Sequence, residues 1–263
     1  MISNTMKIEI NMTDEDYSTK ELILSDDKIF YTIEGEGEFV GQPSVFMRLS
    51  MCNLTCIGFA SPDSPHGCDS YVSWSVKNKM QFKDILSFFE TSGYKDHLLN
   101  GAILKITGGE PLIQQKKLLE LIDYINIEWG WLPRIDFETN ATLMPDPRWI
   151  QKYIGATFTT SPKLTSNGDP RNKRYIPEVL EWHSTYGSGF KFVVKDESDM
   201  DEIINDYVDK FDIPASRVWL MPCCGSREEH SRVCSTVAEL AKKHYFNFSP
   251  RLQLVIWDKA LKV

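Results

Sequence analysis

From Phe30 onward, short runs of β-type residues alternate with longer helical runs, and this alternation constrains the fold more than any other feature. Strands are predicted at residues 45–49, 102–107, 134–138, 156–160, 190–194, 217–221 and 252–257. Helices are predicted near residues 82–89, 115–129, 199–210 and 227–244. In the second helix Leu118, Ile122, Ile125 and Trp129 fall on one face. Alternating strands and helices build parallel βα units, because parallel strands need a crossover connection, usually a helix. Six or seven such strands are too few for a closed eight-fold barrel. The predicted class is therefore α/β, a partial (β/α) barrel of mainly parallel strands.

The unusual residues follow the strands directly. Cys52 comes after 45–49, Gly108, Gly109 and Glu110 after the next strand, and Glu138 and Asn140 at the third. Ser161-Pro162-Lys163 follows the fourth and Lys195 the fifth. Barrel active sites are built at the C-terminal ends of strands, so these residues are predicted to share one rim.

The chain has 263 residues, 42% of them apolar, enough to bury one substantial core. Residues 1–27 are polar and acidic and read as an N-terminal extension, with one early strand at 7–12; residues 28–263 read as the single domain. The net charge of −8 is a poor match for a nucleic-acid binder. No apolar run approaches a membrane span and no leader pattern is visible, so a cytoplasmic protein is expected. Six cysteines in a reducing compartment suggest metal or redox chemistry before disulfides.

Cys52, Cys56 and Cys68 lie in one loop, with three residues between the first two and eleven between the last two. Three thiolates can hold three corners of a 4Fe–4S cluster and leave one iron open for a ligand. The longer interval contains Gly58, Pro62, Pro65 and Gly67, turn formers that can bulge out and return Cys68. Structural zinc with His66 as fourth ligand is the alternative. Cys223, Cys224 and Cys234 read as packing residues or a rim thiol. The stretch Thr107-Gly108-Gly109-Glu110-Pro111 allows close backbone approach to a ligand and sets a carboxylate beside an ammonium group.

Together the cysteine loop and this stretch resemble the radical S-adenosylmethionine (SAM) superfamily. Further stretches narrow the likeness: 30–37 with Ile33-Glu34-Gly35, 41–49 with Arg48, Cys68-Asp69-Ser70, Glu138-Thr139-Asn140, Ser161-Pro162-Lys163, 191–194, and Ser249-Pro250-Arg251-Leu252. In this order they resemble the 7-carboxy-7-deazaguanine synthase family over about residues 29–257. The usual family spacing is C-x3-C-x2-C, so the cysteine loop carries an insertion. Gly67 replaces the aromatic residue that often precedes the third cysteine, so the cover over the cluster must come from elsewhere, with Phe59 one candidate.

The resemblance implies a reaction. A reduced cluster would cleave SAM to methionine and a 5′-deoxyadenosyl radical, which takes hydrogen from C6 of 6-carboxy-5,6,7,8-tetrahydropterin. The ring then contracts and loses ammonia, giving 7-carboxy-7-deazaguanine. SAM is regenerated and Mg²⁺ assists. The resemblance assigns Cys52, Cys56 and Cys68 to the cluster and Ser70, where threonine is usual, to Mg²⁺. It assigns Gly67, Asp69, Gly108, Gly109, Glu110, Ser161 and Lys163 to SAM. Ile33, Glu34, Gly35, Arg48, Thr107 and Glu138 would bind the pterin, Arg48 at its carboxylate and Glu138 at its N–H edge. Glu34 stands where glutamine is usual, and Gln253 where histidine is common. Phosphate binding by the glycines at 35 and 37 is excluded, since Glu34, Glu36 and Glu38 would repel it. A homodimer and an electron donor such as flavodoxin are implied as well. The alternatives are another small radical SAM enzyme, such as a glycyl-radical activase, and a non-catalytic zinc-stabilised domain.

Overall fold

The computed structural model describes residues 14–57, 67, 68, 70–151, 153–258 and 260. Among the described residues nine strands form one open sheet: β1 Glu21–Ile33, β2 Pro43–Leu49, β3 Asn78–Gln81, β4 Ile103–Gly108, β5 Ile135–Thr139, β6 Thr157–Thr160, β7 Gly189–Val194, β8 Val218–Pro222 and β9 Asn247–Phe248. Their order is β3-β1-β2-β4-β5-β6-β7-β8-β9. Seven neighbours from β2 to β9 run parallel, while β1 is antiparallel to both β2 and β3. The ten helices are α1 Asp14–Ser18, α2 Tyr71–Ser75, α3 Phe82–Thr91, α4 Tyr94–Leu99, α5 Gln115–Trp129, α6 Arg171–Arg174, α7 Pro177–Thr185, α8 Met200–Glu202, α9 Arg227–Lys243 and α10 Leu252–Trp257, counted among the described residues. After α8 the chain continues as a π-helical turn, Ile203–Val208.

Local chemistry sets the helix ends. In α5, Leu118, Leu119, Leu121, Ile122 and Ile125 are buried on one side. Gly130 ends it in the left-handed region, its N–H donating to the Asn126 carbonyl. At the start of α9 the Ser226 hydroxyl accepts from Glu229 N–H at 3.2 Å. Glu228 and Glu229 then meet the positive helix end, and Lys242 and Lys243 the negative one.

Successive strand residues point to opposite faces, and here the two faces differ sharply. The outward face of the sheet carries Leu104, Ile106, Ile135, Phe137 and Phe158, packed in one apolar core with α1, α3 and α5. Phe190, Phe192, Val194, Val218 and Leu220 continue it against α7 and α9 in a second core. The inner face carries Lys105, Asp136, Thr159, Lys191 and Glu138, joined to one another across the strands.

Two expectations need correction. The boundary at residue 27 falls inside β1, and Leu22 and Leu24 are 0% exposed in the first core. These residues pair with β3 and so belong to the sheet. The expected early strand at 7–12 lies outside the described residues. The expected seventh strand at 252–257 is the helix α10. The edge place is taken by β9, and beyond it Ser249 N–H still bonds the Leu220 carbonyl. The chain then turns back, with Leu252 N–H donating to the Gly35 carbonyl at 2.9 Å.

Candidate active site

The cysteine loop leaves the C-terminal end of β2 and is held by the stretch that ends β4. Gly109 N–H donates to the Leu49 carbonyl at 3.2 Å, and Glu110 N–H to the Met51 carbonyl at 2.9 Å. A Cβ on Gly109 would overlap that Met51 carbonyl and stand 2.8 Å from Cys52 Cβ. Only glycine allows this approach, while Met51 itself takes the left-handed region at φ 77°.

Cys52, Cys56 and Cys68 are all half-buried. Burial pushes the Cys56 thiol up to about 11, with the nearby Lys163 ammonium opposing it and Cys68 and Cys52 adding to it. Cys52 is likewise raised by burial and feels Cys68. The three thiols thus share one electrostatic environment beside a cation. Among the described residues no three His, Cys, Asp or Glu side chains converge on a single metal ion. A cubane takes one thiolate per iron, so its three corners need not meet at a point. Partly buried soft donors, with an ammonium nearby to offset thiolate charge, fit an iron–sulfur cluster. His66, Phe59 and Asp69 lie outside the described residues.

Lys163 Nζ donates to the Ser161 carbonyl at 2.9 Å and to its hydroxyl at 3.0 Å. The structure therefore brings Ser161 and Lys163 to the rim beside the cysteines. Ser70 starts α2, and its hydroxyl makes no capping bond to that helix.

The Glu110 carboxylate departs from expectation. It is 0% exposed and turned inward. It accepts from Asn140 N–H at 2.7 Å, Leu112 N–H at 3.0 Å and the Thr139 hydroxyl at 2.9 Å. Burial raises its pKa to about 7, against the pull of these donors. This carboxylate ties β4 to the end of β5 and does not face an open ammonium site. Asn140 in turn donates to Asn53 Oδ1 at 3.0 Å and reaches Cys52 Sγ at 4.0 Å.

A ladder of mostly buried charges runs across the inner face of the sheet and reaches the rim at Glu138. Lys105 Nζ stands 2.6 Å from Asp136 Oδ2 and 2.7 Å from Glu34 Oε2. Lys191 Nζ stands 2.6 Å from Glu36 Oε2 and 3.0 Å from Glu138 Oε1. Arg251 Nε reaches Glu36 Oε1 at 3.0 Å, and Gln253 Nε2 donates to the same oxygen at 2.7 Å. Burial raises the Glu34 carboxyl, and Lys105 opposes that. For Glu138 burial acts upward, but Lys191 and Lys105 outweigh it and hold the carboxyl near about 2. Burial alone would lower Lys191, yet Glu138 and Glu36 keep it above its ordinary value. Most of the ladder is sealed, Lys105 and Asp136 being 0% exposed, whereas the Glu138 side chain is 23% exposed. Thr107 Oγ1 donates to its second oxygen at 2.9 Å. Arg48 lies directly across from Thr107 in the sheet, 5.9 Å from the Phe30 ring centre.

The stretch from Ile33 to Gly37 is pinned by the C-terminal stretch. Gly37 N–H donates to the Ser249 hydroxyl at 2.7 Å, and a Cβ on Gly35 would collide with the Gln253 amide. The Glu34 side chain therefore departs from the role expected of it: its carboxylate is committed to Lys105, and the residue is 2% exposed.

No family model matches the chain. It is 33% identical to the 7-carboxy-7-deazaguanine synthase of Hyperthermus butylicus over 234 residues, 87% of this chain and 91% of that protein. It is 30% identical to the 7-carboxy-7-deazaguanine synthase of Pyrobaculum aerophilum, over 89% of this chain and 94% of that one. The chain belongs to the 7-carboxy-7-deazaguanine synthase family. The crystal structure of QueE from Escherichia coli shares its fold, with a TM-score of 0.61 and 22% identity over 91% of this chain and 98% of that one. That likeness extends to the open, mostly parallel sheet.

In this 7-carboxy-7-deazaguanine synthase family member, the sequence reading missed Lys105, Asp136, Lys191, Arg251 and Glu36 as a connected set. A signal was present: Lys105 and Lys191 are single charges inside otherwise apolar strands, and long charged residues are seldom buried unless paired. Asp169, buried against the cysteine loop, carried no such signal.

Proposed function

We propose that this chain performs the radical SAM ring contraction of 6-carboxy-5,6,7,8-tetrahydropterin to 7-carboxy-7-deazaguanine, with loss of ammonia. The observation that carries the reading is Glu138, an ionised carboxylate near the C-terminal end of β5, held by Lys191 and Thr107 with its side chain 23% exposed. A donor-rich heterocyclic edge suits such a carboxylate. Cys52, Cys56 and Cys68 would hold the 4Fe–4S cluster. When bound, the cluster and SAM would supply the one-electron chemistry that starts the reaction.

The chain's own residues divide the remaining work. The backbone at Gly67, Gly108 and Gly109, together with Asp69, Ser161 and Lys163, would hold SAM. Glu110 would shape that site from beneath by fixing Asn140 and Thr139. The backbone of Ile33, Glu34 and Gly35 would line the pterin, with Thr107 beside it. Arg48 would donate to the pterin carboxylate, and Glu138 would accept from its amino and ring N–H groups. Ser70 would offer Mg²⁺ a hard oxygen. A homodimer in the cytoplasm, reduced by a donor such as flavodoxin, completes the reading; no helix among the described residues is long and apolar enough to cross a membrane.

The test is anaerobic incubation of the reconstituted protein with SAM, dithionite, Mg²⁺ and the carboxytetrahydropterin, followed by mass spectrometry. The deazaguanine acid is the expected product, and SAM cleavage without any pterin product would overturn the proposal. A brown, iron-containing protein is expected, whereas a colourless zinc protein would point to an interaction domain.

A further inference from the structure

Asp169 lies outside every stretch that carries the family likeness, yet it grips the cysteine loop. Its side chain is buried, the residue being 6% exposed. Oδ1 accepts from the Thr55 N–H at 3.0 Å and from the Thr55 hydroxyl at 2.9 Å. Oδ2 accepts from the Asn167 amide at 2.7 Å, and the Asn167 carbonyl in turn accepts from Ile57 N–H at 3.0 Å. The residues on both sides of Cys56 are thus bonded to one short segment, 165–169.

Two glycines complete the contact through Ile57. Gly168, at φ 88°, lets the Ile57 side chain lie against the backbone, where a Cβ would stand 2.9 Å from Ile57 Cγ1. Gly67, at φ 81°, rests on the Ile57 carbonyl and leads straight into Cys68. Ile57 therefore meets both Gly168 and Gly67, the residue that precedes Cys68. The far side of the clamp is equally firm. Arg174, 2% exposed, donates to the Asp169 carbonyl at 3.2 Å, the Lys163 carbonyl at 2.7 Å and the Thr165 hydroxyl at 2.6 Å.

We infer that Asp169 is a positioning residue, which locks the cysteine loop onto the segment carrying Ser161 and Lys163 and places a fixed negative charge beside the cluster; this rests on the cluster assignment proposed above. The carboxylate is bonded to the residue adjoining Cys56, and nearby negative charge disfavours an added electron. Partners of metal-ligating groups orient them, and their loss weakens metal affinity by about 10–100-fold.

Two substitutions separate the roles. Asp169→Asn keeps the Oδ1 acceptor for Thr55 and removes the charge, and Asn167 can rotate its amide to meet the new donor. Asp169→Ala removes acceptor and charge together. Parent and variants are reconstituted anaerobically, iron and sulfide are counted after gel filtration, and cluster potential is titrated with EPR detection. Asp169→Ala is expected to lose iron with a roughly 10–100-fold drop in retention. Asp169→Asn is expected to keep its iron and shift the potential upward. A parent protein that takes up no iron would sink the cluster assignment itself. A parent with a full cluster, beside variants matching it in both iron and potential, would overturn the inference alone. Should Asp169→Ala fail to fold, Asp169→Asn decides: a potential equal to the parent's overturns the inference.

Discussion

Glu138 and Arg48 are the two residues proposed to meet the pterin directly. Lys191 and Thr107 satisfy part of the Glu138 carboxylate and fix its direction, while the side chain stays part exposed. Losing one partner of a buried charged hydrogen bond costs about 2–5 kcal/mol, a factor of tens to thousands. Glu138→Gln and Arg48→Met are therefore expected to lower turnover by that range and to leave uncoupled SAM cleavage largely intact. Loss of SAM binding without the pterin would contradict these roles. Ser70 is tested by metal response. Ser70 starts α2 with no capping bond from its side chain to that helix. Ser70→Ala is expected to reduce activity and flatten the Mg²⁺ titration, and Ser70→Thr to preserve both. A Mg²⁺ titration of Ser70→Ala that overlays the parent's would remove Ser70 from the site.

At the scale of elements, β1 shows why a polar stretch can still be structural. Its polar residues hide Leu22 and Leu24, which alternate into the core between β2 and β3. Leu22→Ala is expected to cost about 2–5 kcal/mol, read as a lower urea midpoint. A change of only a few tenths would restore residues before 27 to a dispensable extension. The helix α10 teaches the opposite lesson. Its apolar residues look like a strand, but the sheet already ends at β9 and Ser249 to Gln253 are drawn back to Gly35, Glu36 and Gly37. Tertiary bonding overrides strand propensity there.

For the molecule as a whole, the charge ladder couples folding to pH. Burial alone would raise Glu138, yet Lys191 and Lys105 hold its carboxyl near about 2, below its ordinary 4.5. A carboxylate lowered on folding stabilises the fold above the ordinary value, and that stability is lost as pH falls through the folded one. Stability should therefore decline between about pH 4.5 and about 2. Glu138→Gln should make that decline shallower, as measured by urea midpoints across the range. An unchanged slope would show that Glu138 is not held by the lysines in solution.

The βα alternation, the parallel strands and the one-rim placement of Cys52, Gly109, Glu138 and Lys163 were legible in the sequence, because side-chain periodicity and strand-end position are local properties. So was the family, from motifs in a fixed order. The sequence alone could not pair Lys105 with Glu34, turn Glu110 inward, or bring Asp169 to Thr55, 114 positions away. Each of these depends on which strands and loops become neighbours. That is decided by the packing of the two apolar cores, and a buried charge or donor takes whichever partner the finished fold places beside it.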